Sequence, residues 1–325
     1  TRPSRRGCAR QSLDLALATL DLRTIQYLFP SFPRLQGTVS GTAVLDSSWL
    51  DTRFHDANVV LHDGDNPTSH FTGDGRITQA PKFTAFDVTL QAQPVSFTTF
   101  ARSYPGLAFR GNFSGPMRIR GTMDDLDVTA NLSGDAGTMV VNGNFDLDSV
   151  SGLAGRGTAS VADLDVQALL ERQTLPSTSL AGRAAFDVHG DSIANLQGSL
   201  NIDLDQSRVE PVDLNSATAL LTFGDGRMHV DTLNIVSSAA RVSAKGTLGL
   251  APNIVDSLRY ALVIDSLGGL RPWLLPKAAS ESAPRDSAVR MTESDLEARQ
   301  LRDSLYGTAH AEGTLVGSID TLLAR

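Results

Sequence analysis

Apolar and polar residues alternate along most of this chain. In residues 85–92, 126–134 and 198–206, every second residue is apolar, and the residues between them are mainly Asp, Thr, Asn or Gln. A period of two places successive side chains on opposite faces of a β-strand. The pattern therefore predicts many strands, each of which is apolar on one face only.

Turn signals separate these strands. Asp-Gly pairs occur in FTGDGRI (71–77) and TFGDGRM (222–228). Such pairs suit two-residue hairpin turns, because both residues tolerate a positive φ. Glycine-led phrases at 121–126, 190–196 and 317–322 predict further turns. The chain is thus expected to form successive antiparallel hairpins.

Helical spacing is confined to four short segments, and each of them follows an alternating strand and contains a proline that ends it. These segments are 21–37, 94–111, 164–182 and 266–276. The first three run into glycines, Gly37, Gly111 and Gly182, at nearly regular intervals. Regular recurrence indicates a repeated structural unit. We expect each of these glycines to close a corner between a helix and a strand.

Composition narrows the range of functions. The 325 residues are 41% hydrophobic but only 6% aromatic, and the net charge is −8. An acidic chain without a positively charged patch is not expected to bind nucleic acid. The one cysteine, Cys8, cannot form an internal disulfide. No apolar run reaches the roughly 18 residues that a membrane-spanning helix needs.

Candidate chemistry is sparse. A group of histidines and aspartates could be drawn as a metal site, but its spacing fits no common ligand motif, so we expect solvated residues instead. The group comprises His55, His62, His70, Asp56, Asp63 and Asp65. In GTVSG (37–41) and GNFSG (111–115) the serine comes one place too late for a hydrolase elbow. We predict no catalytic residue, no metal and no cofactor.

Three phrases resemble a known family. They are GGLRPWLLP (268–276), LYGTAHAEGTLVGSIDTL (305–322) and YLFPSFPRLQGTVSGTAVL (27–45). They are similar to sequences of the AsmA-like and TamB (translocation and assembly module B) proteins of Gram-negative cell envelopes. The resemblance covers residues 1–276 and 305–325.

The resemblance implies a mainly β fold, an elongated and curved antiparallel sheet of repeated hairpins with short connecting helices that forms an open β-groove, the β-taco. Residues 1–276 would form groove repeats, and residues 305–325 would begin a further repeat. The charged segment 277–304 would be an inserted loop with a short helix. We expect a fragment, truncated at both ends, of a protein anchored in the inner membrane.

The resemblance also implies a non-enzymatic lipid conduit in the periplasm that carries phospholipids or other acyl lipids and supports outer-membrane biogenesis, with an outer-membrane assembly partner. Two alternatives stay open: a module that assembles outer-membrane or autotransporter proteins by strand pairing, and a structural β-solenoid whose core is self-filled. The predicted groove-lining residues are Phe86, Val88, Leu90, Val128, Leu132, Val141, Phe145, Leu147, Phe186, Val188, Leu200, Ile202, Leu204, Val230, Ile235, Val242, Leu248, Tyr260, Leu262 and Ile264.

Overall fold

The computed structural model divides the chain into two compact units. The first comprises residues 1–175 and 183–192, and the second comprises residues 176–182 and 193–325. The structure describes residues 13–28, 35–46, 50–103, 109–147, 153–210, 212–251, 253–265, 267, 307–318 and 323–324. The predicted insertion at 277–304 and nearly all of the predicted helix at 266–276 lie outside the described residues.

The first unit is an antiparallel ladder of strands interrupted by three short helices, and each strand from β1 to β9 pairs with the next. Its elements are β1 (Leu13–Asp21), α1 (Leu22–Leu28), β2 (Thr38–Leu45), β3 (Asp51–His62), β4 (Ser69–Gln79), β5 (Thr84–Ser96), α2 (Phe97–Ser103), β6 (Asn112–Thr122), β7 (Asp125–Gly134), β8 (Gly137–Asp146), β9 (Leu153–Leu164) and α3 (Val166–Leu170).

The second unit continues the same kind of ladder. In it β11 and β12 both pair with β13, and the strands from β13 to β18 pair in chain order. Its elements are β10 (Thr178–Gly190, whose last residues belong to the first unit), a 3₁₀ turn (Ile193–Asn195), β11 (Gln197–Leu204), β12 (Ser207–Val209), β13 (Val212–Gly224), β14 (Arg227–Ser237), β15 (Ala240–Gly249), β16 (Asp256–Ile264), β17 (Ala309–Gly317) and β18 (Leu323–Ala324). The mainly β, antiparallel hairpin fold with few short helices is confirmed.

The two corners between helix and strand at α1 and α2 are built alike. The N–H of Leu22, at the start of α1, donates to the carbonyl of Gly37 at 3.1 Å, and Phe97 of α2 donates in the same way to Gly111 at 3.0 Å. In the second unit Leu267 donates to Gly307 at 3.0 Å. In the first unit the residue directly after a strand is bonded to the glycine directly before the next strand, and in the second unit the third residue after β16 is bonded to a glycine two residues before β17. These bonds explain why the glycines recur in the sequence.

Gly182 does not belong to this series, and that prediction was wrong. It lies inside β10, which already begins at Thr178. Its φ is +154°, and a Cβ placed there would lie 2.7 Å from the Cα of Leu204 and within contact distance of the Asp203 carbonyl oxygen. The position needs glycine because the neighbouring strand passes too close for a side chain.

The two Asp-Gly pairs also behave differently. Asp225 and Gly226, with φ of 52° and 69°, form the turn between β13 and β14, as predicted. Asp74 and Gly75 lie inside β4 instead, so no turn forms there. The period-two pattern runs straight through them from Phe71 to Ile77 with glycines on the apolar side, and this continuity outweighs the local turn signal.

The most deeply buried part of the first unit lies around α2. Phe113 of β6 is fully buried beneath the Phe97 ring, with ring centroids 5.4 Å apart, and Val95 and Ala101 are buried beside it. The β3–β4 loop packs against the same helix, because the Thr99 hydroxyl donates to the Pro67 carbonyl at 3.0 Å. Hydrophobic packing and polar contacts together hold the helix against the strand ends.

Asp63 in this loop is buried, contrary to the expectation that it is solvated. Its side chain is 6% exposed, and its carboxylate accepts a hydrogen bond from the half-exposed Arg102 guanidinium at 2.7 Å. A buried carboxylate requires such a partner because desolvation penalises an unpaired charge. The ion pair therefore fastens the β3–β4 loop to α2.

We predict that Gly182→Ala destabilises the second unit by about 1–3 kcal/mol, because an alanine would clash with β11 and strain the backbone. Gly224→Ala is the matched control: a Cβ at Gly224 has no neighbour within 4 Å. Urea unfolding followed by circular dichroism measures both free energies of unfolding. Equal stabilities for the two variants would contradict the close approach at Gly182.

We predict that Arg102→Met lowers the free energy of unfolding by about 1–3 kcal/mol, at the lower end for a buried pair because the guanidinium is half-exposed. Asp63→Asn in the same background should restore part of the loss, because the uncompensated charge is removed. The coupling is measured by a double-mutant cycle in urea. Strictly additive effects would contradict the proposed fastening role of the pair.

Candidate functional site: the apolar face of the sheet

The predicted lining residues of the first unit lie on one face of its sheet. Directly opposed residues in an antiparallel pair share a face, and the register of β4 to β9 joins them into three rows. The rows are Ile77–Phe86–Gly121–Leu126–Phe145–Gly155, Gly75–Val88–Ile119–Val128–Gly143–Gly157 and Gly73–Leu90–Met117–Ala130–Val141–Ala159. Every position in them is apolar or glycine.

The remaining predicted residues of the first unit extend this face. Leu132 opposes Met139 beyond the third row. Phe186 of β10 places its ring centroid 6.0 Å from that of Phe145, and Val188 follows two residues later on the same side. Leu147 comes directly after β8, where its N–H donates to the Met123 carbonyl at 2.7 Å.

The second unit has the same arrangement. The register from β11 through β13 to β17 gives three more rows that contain the other predicted residues, with Leu248 and Ile264 at the two ends of the face. The rows are Leu200–Leu221–Val230–Gly246–Leu258–Leu315, Ile202–Ala219–Leu233–Ala244–Tyr260–Gly313 and Leu204–Ala217–Ile235–Val242–Leu262–Ala311. Only the Tyr260 hydroxyl adds a polar side-chain atom to these rows.

A β-bulge keeps the second face continuous. Val230 and Ile235 are five positions apart, so a regular strand would place them on opposite faces. The register of β14 shifts between Val230 and Leu233, and this irregularity returns Ile235 to the side of Val230. Without the shift, the second half of β14 would bring its polar residues to the apolar face.

Glycines give the apolar face of the first unit an uneven surface. Gly143 and Gly157 oppose each other, and Gly155 opposes Phe145, so bare backbone lies next to an aromatic ring. A Cβ at Gly155 would lie 2.9 Å from Phe145 Cδ1, and one at Gly143 would lie 3.1 Å from Phe145 Cε2. The ring therefore rests over the two glycines, and small and large residues alternate across the strands.

The accessibility of this face lies between that of a dry core and that of an open surface. Of the predicted lining residues, Val88, Leu132, Val230 and Leu248 are buried, and all the others are half-buried. None of them is exposed. In the second unit Val230, Ala244, Leu248 and Leu258 form a cluster with half-buried neighbours packed against it.

The opposite face of the first unit is charged. Arg118 and Arg120 of β6 both lie beside Asp87 of β5, at 3.5 and 3.3 Å. The Asn144 amide of β8 donates to Asp125 and Asp127 of β7, at 2.6 and 3.0 Å. These exposed contacts are weak individually, but the charged groups make this face favourable to water.

The area of the apolar face sets an upper limit on the free energy gained when it is covered. Six strands spaced about 4.8 Å apart, with three same-face residues per strand about 6.6 Å apart, give on the order of 600 Å² for each unit. Single apolar patches on monomers reach about 300–600 Å² and are often functional. Covering such a face would stabilise it by up to about 15 kcal/mol at roughly 25 cal/mol per Å². Because most residues of the face are already half-buried, the area that remains to be covered is smaller than this upper limit.

The histidine and aspartate side chains that were weighed as a metal site do not converge. No cluster suited to a metal ion occurs among the described residues. His55 Nδ1 lies 2.7 Å from Asp56 Oδ2, and this hydrogen bond raises the pKa of the imidazole above its ordinary value. His70 Nε2 pairs instead with the Asn58 side chain at 2.7 Å. The side chains have separate partners and do not converge.

Several residues of the apolar face of the first unit, notably Met117 and Ile119 of β6, were not predicted from the sequence. Pro116 interrupts the apolar pattern there, and a proline normally argues against a central strand. An alternating pattern was nevertheless present in the sequence if glycine is counted among the residues of the apolar face. It consists of Phe113, Gly115, Met117 and Ile119.

The chain matches no protein-family model, no curated protein and no solved structure. The resemblance to the AsmA-like and TamB proteins therefore stays a prediction. Among the helices within the described residues, none has the length and apolar character to cross a bilayer.

Proposed function

We propose that this protein is a non-enzymatic carrier of acyl lipids, in which the apolar face of each unit holds acyl chains while the headgroups remain in water. One observation carries the proposal. Three adjacent rows in each unit contain only apolar residues or glycine apart from the Tyr260 hydroxyl, and most of these residues keep part of their surface accessible. A face of this size needs an apolar cover.

An acyl chain fits this requirement. Its methylenes each lose about 0.8 kcal/mol on leaving an apolar environment, so a chain of roughly 16 carbons forfeits on the order of 10 kcal/mol when it enters water. Rows without charged groups let a chain remain in apolar contact as it passes from strand to strand. Because such contacts are non-directional, we expect little selectivity for the headgroup.

The resemblance to AsmA-like and TamB proteins supports a more specific version. In that version the faces belong to a curved open groove in the periplasm, within a protein anchored in the inner membrane, and they carry phospholipids toward the outer membrane. Residues 1–276 and 305–325 would supply the groove and residues 277–304 a surface loop. An outer-membrane assembly partner is part of this proposal.

Neighbouring residues on opposite faces provide a direct test. A photo-reactive amino acid at Val141 or Ile202 should crosslink to phospholipid when the protein is purified from membranes, because both side chains lie in the apolar rows. The same probe at Asn142 or Asp203, one residue away and exposed on the polar face, is the matched control and should give little lipid adduct. Mass spectrometry of the adducts is the measurement.

Three results would count against the proposal. Equal lipid yields at the paired positions would mean that lipid does not distinguish the faces. Absence of lipid at Val141 and Ile202, with both positions protected from water, would favour a self-filled solenoid. Adducts with outer-membrane proteins along strand edges would favour an assembly module.

We predict that Ile202→Arg lowers the rate of lipid transfer between vesicles by about tenfold or more, because a charge in the middle row interrupts the apolar path. Asp203→Arg adds the same group to the opposite face and should leave the rate within about twofold. Far-UV circular dichroism checks that both variants fold. Normal transfer by a folded Ile202→Arg protein would contradict the proposal.

A further inference from the structure

We propose that the polar face of the second unit carries a binding site for a phosphate monoester. A depression of about 690 Å³ lies across β14 to β17. The register places Lys245 beside Arg259 and Thr314 in one row, and Asn234, Ser243, Ala261 and Glu312 in the next. Ala244, Tyr260 and Gly313 of the middle apolar row also line the depression. The charged and polar side chains alternate with those of that row, so they lie on the side opposite the proposed lipid face.

The central feature is a pair of like charges. Lys245 and Arg259 are directly opposed on β15 and β16, and both are exposed. Like charges that face each other across an antiparallel pair destabilise the sheet. Within the part of the chain that the structure describes, neither side chain makes a hydrogen bond or ion pair. A bound dianion would remove this repulsion and satisfy both groups.

Other arginines on the same unit show that pairing is the usual arrangement. Arg227 reaches Asp256 at 2.7 Å, and Arg241 reaches Asp265 at 2.8 Å. Asp256 lies on β16, two strands away from Arg227 on β14, and Asp265 comes directly after β16, the strand next to Arg241 on β15. Lys245 and Arg259 lie between the two pairs and have no such neighbour among the described residues, and the proposal assigns an external anion as their partner.

The carboxylates that line the depression do not take this role. Asp231 lies 3.3 Å from His229, two residues before it on the same chain segment, and Glu312 lies 3.0 Å from His310. Both acidic side chains therefore have a histidine beside them. Neither is within 4.0 Å of the Lys245 ammonium or the Arg259 guanidinium among the described contacts.

Four of the other lining residues can form hydrogen bonds with a small phosphorylated ligand. Ser243, Thr232 and Thr314 provide hydroxyl groups, and Asn234 provides an amide, around the two cations. A guanidinium binds phosphate through two parallel hydrogen bonds, and a lysine adds a compact charge. A long polyanion is disfavoured because only two cations are present in a chain of net charge −8.

The test titrates inorganic phosphate and glycerol 1-phosphate into the full chain, followed by NMR chemical shifts of the second unit. We expect saturable binding that weakens about tenfold or more in Lys245→Ser and in Arg259→Ser. Lys82→Ser, an exposed lysine of the first unit, is the matched control and should leave the affinity unchanged. Equal affinity in all three variants, or no binding to either probe by the unaltered chain, would overturn the proposal.

A second arm identifies the source of the phosphate. Flotation with phosphatidic acid vesicles, compared with phosphatidylcholine vesicles, reports a lipid headgroup if the phosphatidic acid signal is lost in Lys245→Ser. Binding of glycerol 1-phosphate without selective flotation assigns a soluble ester instead.

Urea unfolding gives an independent test of the site. Because removal of one cation relieves the repulsion, the Lys245→Ser and Arg259→Ser variants should unfold at or above the urea midpoint of the unaltered chain. Added phosphate should raise the midpoint of the unaltered chain and not that of the variants. A midpoint raised equally in the variants would contradict the site.

Discussion

Strand register is the constraint on which the rest of the structure depends. The side-chain period of a strand is two, so a slip of one residue in any strand would exchange its faces. In β6, such a slip would bring Arg118 and Arg120 into the rows now occupied by Met117 and Ile119. Register alone therefore produces a wholly apolar face on one side and ion pairs such as Arg120 with Asp87 on the other.

Much of the fold follows from this period, and the sequence therefore predicts it well. Hairpins, short helices after β1, β5 and β9, and the shared face of the predicted lining residues all rest on local patterns. Three features depend on contacts between separate elements, which local patterns do not contain. Asp74–Gly75 stays extended because β4 is paired on both sides, Gly182 is required by the approach of β11, and Asp63 is buried by a helix that follows much later in the chain.

The bulge in β14 is the clearest case of a feature beyond the sequence pattern. The pairing register shifts between Val230 and Leu233. Without this shift, polar residues of β14 would interrupt the apolar face of the second unit. The same region carries Asp231 and Thr232, which line the depression on the polar face. One irregularity thus shapes both faces of the unit, and the two proposals concern opposite sides of the same strands.

The central claim is that the apolar face binds acyl chains rather than packing against the protein's own core. It is tested most directly by mild purification of the full chain from membranes, followed by extraction and quantitative mass spectrometry of the bound lipids. The account predicts phospholipid in at least equimolar amount, with mixed headgroups and long acyl chains. Recovery of lipid-free, folded protein would contradict it.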